Sequence, residues 1–545
     1  MNETKVVFDD VEKKIASIPN QFWLVFCTTV ICGLIAHAFM YVNPIYNHDG
    51  ASIYYSNIHF SDLALYASTT RWGTFFVLLL QGNINSPWLQ GVCSMVVYSI
   101  AAYYIIRYLG IQHRVSIVLA SALLITSPNV TAVNLYTAGA IMHASALLLA
   151  VLALWCIDGN DKKKPALGFI ILVFAESLYT SYVAAFFSLF LIKQICSISF
   201  GKDEKASIRK HFAIVGYGFF SVLANYIISK LILFCFPVVE IQERVTATQQ
   251  RGVFDWLLAL VKAWTYMPRF LLTRMCSFLS GNLLAYVTFW VGMVVTFLLL
   301  VSCIRKVENR SGWSIALVVV DILVLPLAMN VTDLLYQSGN LLMQWGVIIP
   351  WIFIVLFCDC LMFSNLNVRW HRWYAICTII ISCIALFNQV YLANASYVKA
   401  YNVYESGMQM ITRLSERIES DPKYKVGKTP ILFIGSLRSN YAPVREEYDY
   451  VRSMTGAGTP WWDTAITSST ALRVYLVEQA GLNIKDYEHV RATNLDQAED
   501  YLDKYEEYDE DRFKKLFDSM KAFPSEDCVA WYGDVMIVYL GVETY

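Results

Sequence analysis

The sequence contains few charged residues. Only 16% of its 545 residues are Asp, Glu, Lys or Arg, whereas 57% are hydrophobic; soluble domains carry about 25% charged residues. Apolar runs near 20 residues recur from Gln21 to Leu392, and runs of that length can cross a bilayer. The composition excludes an ordinary soluble globular protein and predicts a mainly α, polytopic helical membrane protein.

The short motifs of most soluble enzymes are also missing. There is no Walker A sequence, no GxGxxG after a strand, no GxSxG and no HExxH, and no DxD pair suggests a metal–nucleotide-sugar site. Thirteen cysteines lie mostly inside apolar runs and form no CxxC or Cys/His cluster, so neither a disulfide framework nor a zinc site is expected. We expect no metal or nucleotide cofactor and no nucleic-acid partner.

Eleven apolar runs are predicted to span the membrane. They are Gln21–Val42, Pro87–Leu109, Val115–Val133, Ala138–Ile157, Leu167–Leu178, Ser181–Ile198, Phe212–Phe236, Leu283–Cys303, Trp313–Met329, Met343–Phe363 and Trp373–Leu392. The stretch Leu167–Ile198 is either one long tilted helix or two short helices broken around Glu176–Tyr182.

Positive charge decides between these alternatives. With a cytoplasmic N-terminus and two spans in Leu167–Ile198, 18 of the 25 basic residues before Asn394 lie inside. A single span would turn the basic run Lys202–Lys210 outward. We therefore predict two spans, a cytoplasmic segment 1–20 and an extracytoplasmic C-terminal part, with the first apolar run acting as an uncleaved signal anchor.

Charge and pattern change at Asn394. Residues 394–545 hold 17 basic and 25 acidic side chains, a net charge of −8, whereas the preceding part carries +7. The chain is therefore expected to divide into the segment 1–20, a membrane domain 21–393 with outer loops 43–86 and 237–282, and an extracytoplasmic domain 394–545.

The C-terminal domain is predicted to be a small α/β unit, because short apolar runs alternate with polar, periodic ones. The expected elements are a helix over Tyr397–Ser420, a strand at Ile431–Ile434, helices within Ser468–Ala480 and Leu495–Lys521, and a hairpin of Val529–Tyr532 and Val535–Leu540 around Gly533-Asp534.

The first outer loop, Asn43–Gly73, concentrates polar and aromatic side chains. The apolar patch that follows it, Thr74–Leu80, is too short to span a bilayer, so the loop is expected to return to the membrane surface. Its ionisable candidates are two acids, two histidines and a cation: Asp49, Asp62, His48, His59 and Arg71.

Three of these candidates have two interpretations each. Asp49 is either a general base for an incoming hydroxyl or part of the turn Asn47–Gly50. Asp62, which follows Ser61, is either a second acid of the site or the opening residue of a helix. Arg71 is either a bidentate phosphate ligand or a snorkelling anchor.

Further candidates lie outside this loop. Arg269 and Arg274 are on a basic amphipathic segment of the second outer loop, which suits either phosphate binding or general headgroup contact. Glu176 is a carboxylate inside a span, near Tyr179 and Tyr182, and such groups are functional candidates. Three other intramembrane groups have structural interpretations: Asp321 as a paired acid, Asp359 as an interfacial acid and His143 as a core histidine.

The layout of the membrane domain resembles a known family. A first span is followed by Asn47-His48-Asp49 in an outer loop and by Arg71-Trp72-Gly73 at membrane re-entry. The tyrosine-containing hairpin Leu178-Tyr179-Thr180-Ser181-Tyr182 and a C-terminal outer domain come later. Over about residues 20–393 this order is similar to the bacterial O-antigen-modifying type II glucosyltransferases, within the class C glycosyltransferases (GT-C).

The resemblance implies a fold and an activity. It implies a GT-C-like enzyme that transfers a hexose, usually glucose, from a polyprenyl-phosphate donor on the outer face of the membrane. It implies Asp49 as the base, and Arg71 and Trp72 as a characteristic pair. Family members often carry two adjacent acids in this loop, whereas here Gly50 follows Asp49 and His48 precedes it.

The partners follow from the same resemblance. The acceptor is expected to be a cell-surface glycan such as O-antigen, teichoic acid or wall polysaccharide, and a polyprenyl-phosphate glucose synthase and a flippase would act upstream. The competing interpretation is a transporter or flippase of polyprenyl-linked saccharides. That class is expected to place charges within its spans, whereas most charges here lie in loops. A non-catalytic scaffold would leave the loop from Asp49 to Arg71 unexplained.

Overall fold

The computed structural model describes residues 18–43, 45, 60, 62–82, 86–159, 164–201, 208–236, 253–274, 283–306, 312–336, 341–364, 370–437, 454, 476–477 and 480–542. Its contacts divide the chain into two compact units, and the main boundary falls between Ser396 and Tyr397. We call them the membrane unit and the C-terminal unit.

The membrane unit is built from helices, the last of which continues past Ser396 into the C-terminal unit. In chain order they are α1 (Asn20–Val42), α2 (Asp62–Ser68), α3 (Trp72–Leu80), α4 (Pro87–Leu109), α5 (Arg114–Thr126), α6 (Pro128–Leu135), α7 (Ala140–Asp158), α8 (Pro165–Tyr179), α9 (Val183–Ser199), α10 (Ile208–Cys235), α11 (Val253–Arg269), α12 (Leu283–Lys306), α13 (Gly312–Met329), α14 (Asp333–Tyr336), α15 (Ile349–Met362) and α16 (His371–Glu419). A π-helical turn, Phe270–Arg274, follows α11.

Ten helical stretches in the described ranges are long and apolar enough to cross a membrane. This confirms the polytopic helical class. The difference from the eleven expected spans lies in Pro165–Ser199, which forms one continuous helical stretch but contains two α-helices, α8 and α9.

The predicted break around Glu176–Tyr182 is confirmed. Tyr179 has the extended backbone angles φ −158° and ψ 106°, and a 3₁₀ turn over Thr180–Tyr182 follows it. In α9, the Lys193 ammonium lies 3.8 Å from the carboxylate of Asp158, which ends α7 just before α8 begins. The chain therefore turns back on itself after α8, and α9 returns toward the end from which α8 started.

One expected boundary between helices is absent. A span at Trp373–Leu392 and a separate polar helix from Tyr397 were predicted, but α16 runs without interruption over 49 residues. The connecting residues 393–396 contain neither Gly nor Pro, so no residue there breaks the helical hydrogen bonds. The Asn394 side chain also donates to Val390 O at 2.9 Å, one turn back on the helix.

Two of the intramembrane acids have structural partners, as predicted for Asp321. His211 Nε2 lies 3.0 Å from Asp321 Oδ1. Asp359 is 1% exposed, and its two oxygens accept from the backbone N–H groups of Gln112 and His113 at 3.0 and 2.9 Å. Asp359 thus satisfies backbone donors just before α5, which would otherwise lack partners.

The C-terminal unit contains a four-stranded sheet. Its strands are β1 (Ile431–Gly435), β2 (Tyr487–Val490), β3 (Val529–Tyr532) and β4 (Val535–Gly541), in the order β2-β1-β4-β3. Strand β1 is parallel to β2 and β4, and β3 and β4 form the predicted antiparallel hairpin.

The two faces of this sheet are both covered. On one face, Ile431 and Phe433 pack with residues from the end of α16, such as Leu414. On the other, Leu432 and Ile434 pack with residues around the short helices Glu499–Leu502 and Glu510–Ser519. All five residues of β1 are buried, which explains its continuous apolar sequence. The expected helix over Ser468–Ala480 lies mostly outside the described residues.

Candidate functional site

The predicted Arg-Trp-Gly motif lies at a strained turn between α2 and α3. Helix α2 ends at Ser68, and Thr70 has φ +60°, an uncommon conformation for a β-branched residue. The Arg71 backbone N–H donates to Tyr66 O at 2.8 Å, which closes the turn. Strain of this kind costs about 1–3 kcal/mol and persists only where the surrounding structure enforces it.

The Arg71 side chain lies over an aromatic ring. Its guanidinium carbon is 4.7 Å from the centroid of the Tyr179 ring, and the Tyr179 ring is 4.2 Å from that of His143. His143 Nδ1 is in turn 3.3 Å from the Tyr182 hydroxyl. The arginine therefore sits on a connected group of aromatic side chains that come from α7, α8 and the turn after α8.

Among the described residues, no carboxylate lies within ion-pair distance of Arg71. The side chain is half-buried, and a cation–π contact uses the face of the guanidinium and leaves its N–H edge available. That edge matches the two oxygens of a phosphate or carboxylate. The turn thus presents a partly desolvated cation that can bind an anion.

Trp72 is fixed by a hydrogen bond to α10. Its indole Nε1–H donates to Asn225 Oδ1 at 2.8 Å, and the Asn225 amide nitrogen donates to Thr70 O at 3.1 Å. One amide therefore bonds to both sides of Arg71 in the sequence. The indole ring also contacts Phe174 of α8, at 5.8 Å between ring centroids.

Gly73 allows α3 to approach α8 closely. A Cβ at this position would lie 2.2 Å from Ser177 Oγ and 3.1 Å from the Ser177 carbonyl carbon, so a side chain does not fit. The next residue, Thr74, donates its hydroxyl to Leu178 O at 2.9 Å. The glycine and the threonine together dock the start of α3 against the end of α8, beside Tyr179.

Glu176 lies one turn before Tyr179 on α8. Its side chain is 1% exposed, and Oε1 accepts a hydrogen bond from Ser221 Oγ of α10 at 2.7 Å. Its second oxygen, Oε2, is buried and has no hydrogen-bond partner among the described residues. A buried carboxyl oxygen without a partner is costly, which is a reason to look for a functional role.

The structure brings five of the predicted site residues into one connected group: Arg71, Trp72, Glu176, Tyr179 and Tyr182. Asp62 is the first residue of α2, in agreement with its predicted helix-opening role. His48 and Asp49 lie outside the described residues, so their roles remain predictions.

The two arginines of the second outer loop belong to another part of the membrane unit. Arg269 ends α11, the predicted amphipathic helix, which packs against α13 and α14. Arg274 ends the π-helical turn, and its side chain lies outside the described residues. Their part in a phosphate site therefore remains a prediction.

Four further side chains belong to the group and were not assigned to it from sequence: Thr74, His143, Ser221 and Asn225. The usable signal was the spacing of Gly218, Ser221, Asn225 and Ser229, small or polar residues at helical intervals in an otherwise apolar run. All four are buried in α10, which has only one other buried residue among those described. Such stripes mark helix–helix interfaces in membranes.

The site has no candidate metal centre in the part of the chain that the structure describes, where no three His, Cys, Asp or Glu side chains are grouped to hold an ion. The chemistry available there is instead a cation, a buried carboxylate, hydroxyls and aromatic faces.

Comparison with protein families gives a match over much of the membrane unit. The family Glucosyl transferase GtrII matches residues 38–344, which include the whole Arg71 group. No curated protein and no solved structure matches the chain. Because the family match covers more than half of the sequence, the chain belongs to the GtrII glucosyl transferase family and is a membrane glycosyltransferase.

Proposed function

We propose that this glycosyltransferase takes glucose from a polyprenyl-phosphate donor and transfers it to a cell-surface glycan on the outer face of the membrane. The observation that carries the proposal is Arg71, a half-buried cation with no ion-pair partner among the described residues, held over the Tyr179 ring. A lipid-linked sugar phosphate has its headgroup at the membrane interface, where this turn is expected to lie.

The reaction needs a base, a cation and a leaving group. The acceptor hydroxyl oxygen attacks the anomeric carbon while the bond from that carbon to the phosphate oxygen breaks, and the phosphate leaves with the electron pair. Arg71 compensates the charge that grows on the phosphate. Asp49, on the first outer loop, takes the hydroxyl proton, with Asp62 as the alternative base.

The aromatic group next to Arg71 suits the sugar. Tyr179, Tyr182 and His143 supply ring faces and hydroxyl or imidazole groups close to the proposed phosphate position. Glu176 lies three residues before Tyr179 on the same helix, and its Oε2, which has no hydrogen-bond partner among the described residues, is a candidate acceptor for a sugar hydroxyl. His48 is a further candidate for sugar or acceptor contact from the outer loop.

A lipid-linked donor also requires contact with the bilayer and two upstream proteins. The basic amphipathic helix α11, with Arg269 and Arg274 near its end, would lie along the bilayer interface and support the lipid phosphate. A polyprenyl-phosphate glucose synthase and a flippase would have to act upstream, because the donor must be made and brought to the outer face.

A transfer assay tests the proposal. The purified protein is mixed in lipid nanodiscs with a polyprenyl-phosphate carrying radiolabelled glucose and with candidate surface glycans. We expect label to move to a glycan, and no transfer from a nucleotide-linked glucose under the same conditions. Movement of the intact labelled lipid across a sealed bilayer without transfer would instead identify a flippase.

A further inference from the structure

Asn225 makes two hydrogen bonds that bracket Arg71. Its amide oxygen accepts from the Trp72 indole at 2.8 Å, and its amide nitrogen donates to the Thr70 carbonyl at 3.1 Å. Asn225 itself is 2% exposed and lies in the middle of the apolar helix α10. Within the described residues, the hydrogen bonds of its amide thus go to Thr70 and Trp72, the residues on either side of the arginine.

The turn needs such support. Thr70 has φ +60°, and a β-branched residue left to itself would leave this conformation. Relaxation of Thr70 would rotate the peptide plane that leads into Arg71 and would carry the guanidinium away from Tyr179. Asn225 opposes this motion because it holds the Thr70 carbonyl, while its second bond fixes the side chain of Trp72.

We propose that Asn225 is the positioning residue for the donor phosphate: it keeps the turn from Thr70 to Trp72 in the shape that aims Arg71. Asn225 acts through Arg71 and need not touch the donor. The inference rests on the proposed function, since it names the residue that prepares the phosphate site.

A plain packing role is the alternative. Asn225 belongs to the buried stripe Gly218, Ser221, Asn225 and Ser229, which packs α10 against the rest of the membrane unit. Ser229 provides a matched control, because it is equally buried at 2% exposure, but among the described residues its hydroxyl donates only to Asn225 O of the same helix. If packing were the sole role, the two positions would respond alike.

Steady-state transfer kinetics separate these roles. Asn225→Ala is expected to raise the donor KM by about tenfold, because two partly buried hydrogen bonds that define the cation position are lost. Ser229→Ala should leave the donor KM within about twofold. Asn225→Asp should recover part of the loss, since its carboxylate can still accept from Trp72 but cannot donate to Thr70.

A second readout does not depend on turnover. Retention of unlabelled polyprenyl phosphate is measured by native mass spectrometry for the wild type, Asn225→Ala, Trp72→Phe and the double variant. The double variant should bind no more weakly than Asn225→Ala, because both changes act on one interaction. Additive losses, or an unchanged donor KM in a folded Asn225→Ala protein, would overturn the positioning role. Absence of donor use by the wild type would refute the proposed function instead.

A second, independent observation concerns the opposite end of α1. A cavity of about 860 Å³ is lined by the first turns of α1, the end of α4 and the start of α5. It lies at the Asn20 end of α1, whereas the first outer loop follows Val42; a helix of this length measures about 35 Å. The cavity is therefore separate from the Arg71 group.

The lining of this cavity contains both cationic and apolar side chains. Arg107 and Arg114 both line it, and no lining residue in the described ranges is acidic. Neither arginine has an ion-pair partner among the described residues. The rest of the wall includes Trp23, Leu24 and Ile117.

From this lining we infer a binding site for a phosphate ester with an apolar tail. The arginines would take the phosphate and the apolar wall the first part of the chain, as basic pockets between membrane helices bind lipid headgroups. Two sources share this chemistry, an anionic glycerophospholipid and a polyprenyl phosphate.

Competition in nanodiscs distinguishes the sources. Lipid retained by the protein is compared for phosphatidylglycerol, phosphatidylcholine and polyprenyl phosphate, in the wild type and in the double variant Arg107→Gln/Arg114→Gln. Selective loss of phosphatidylglycerol in that variant, but not in the exposed control Arg305→Gln, supports a glycerophospholipid site; selective loss of polyprenyl phosphate supports the other source. Equal retention by the wild type and the variant would overturn the site.

Discussion

Two groups of cations in the membrane unit differ in how their charge is balanced. Lys193 and Lys210 approach one carboxylate, Asp158, at 3.8 and 4.0 Å, and the Tyr108 hydroxyl donates to the same acid at 3.1 Å. Arg71 has an aromatic ring beneath it and, in the described residues, no acid beside it.

This difference separates a structural cation from a functional one. A lysine pair that shares a buried acid joins α7, α9 and α10 and has little charge left for a ligand. An arginine on an aromatic face has lost part of its hydration without gaining an anion, so an incoming phosphate is the partner that stabilises it most.

The comparison first predicts opposite membrane faces for the two groups. A cysteine placed at Lys163, near Asp158, should be protected from a membrane-impermeant thiol reagent in intact cells, because the positive-inside bias puts that loop in the cytoplasm. The natural Cys528 is unsuitable as the outer marker, since it is fully buried. Lys514→Cys, at an exposed position, should label from outside. Labelling of a cysteine at position 163 from outside would show that the predicted topology is wrong.

The next largest effect is expected at the base. Asp49→Asn keeps the size of the side chain but cannot take the acceptor proton, so turnover should fall by about 10²–10⁴-fold. Donor retention should be unaffected. Transfer is measured on matched amounts of folded protein, with Asp62→Asn as the control, because Asp62 opens α2. A larger loss in Asp62→Asn would move the base to that residue.

Removal of the Arg71 guanidinium, which has no carboxylate partner among the described residues, should weaken donor use. Arg71→Ala is expected to reduce transfer efficiency by about a hundredfold, since two charge-assisted hydrogen bonds to phosphate are lost. Arg71→Lys should retain only part of the activity because an ammonium cannot bind in a bidentate way. The thermal midpoint of both variants should stay close to that of the wild type. Equal donor KM values in all three proteins would show that Arg71 is a snorkelling membrane anchor and does not bind the phosphate.

A change at Asp158, which pairs with Lys193 and Lys210, should affect stability instead of donor use. Asp158→Asn leaves Lys193 and Lys210 without their shared anion, and we expect a loss of about 1–3 kcal/mol of stability; the lysines are partly exposed, which limits the effect. Tyr108→Phe removes a single hydrogen bond and should cost less. Thermal unfolding in detergent measures both, and a specific rise in donor KM without destabilisation would contradict the distinction between the two groups.

The smallest effects are expected on the second outer loop. Arg269→Ala and Arg274→Ala should each lower donor use less than Arg71→Ala, because they lie on or after an interfacial helix that packs against α13 and α14. Kinetics with lipid-bound donor, repeated at high salt, measure this ranking. An Arg269→Ala defect that matched Arg71→Ala would add that residue to the phosphate site.

The sequence was most informative where one local pattern determined the structure. The polar residues between Glu176 and Tyr182 interrupt an apolar run, and the helix breaks there. Gly533-Asp534 between two apolar runs predicted the β3–β4 hairpin. Strand β2, with the sequence Tyr487-Glu488-His489-Val490, was missed because it is short and half polar, and its pairing with distant β1 determines its structure.

The site itself depended on contacts that no local pattern contains. Arg71 and Tyr179 could be selected separately, but their contact depends on Gly73 and Thr74, which bring α3 against α8. Asn225 was not selected because the small and polar stripe of α10 marks a buried face but does not show which residues that face contacts. Its role became visible only through Trp72, which is 153 positions away in the sequence.

The break after α8 also sets the depth of the site in the bilayer. Helices α8 and α9 have 15 and 17 residues, so they measure about 22 and 26 Å, less than the hydrocarbon thickness of about 30 Å. The turn Thr180–Tyr182 is buried in protein, the setting in which non-helical backbone is tolerated at membrane depth. If the far ends of both helices reach the opposite interface, we expect Tyr179 to lie beneath the plane of the surrounding headgroups. An anion bound at Arg71 would then sit in a local depression of the membrane surface, which an acceptor must enter from the face that we propose to be extracytoplasmic.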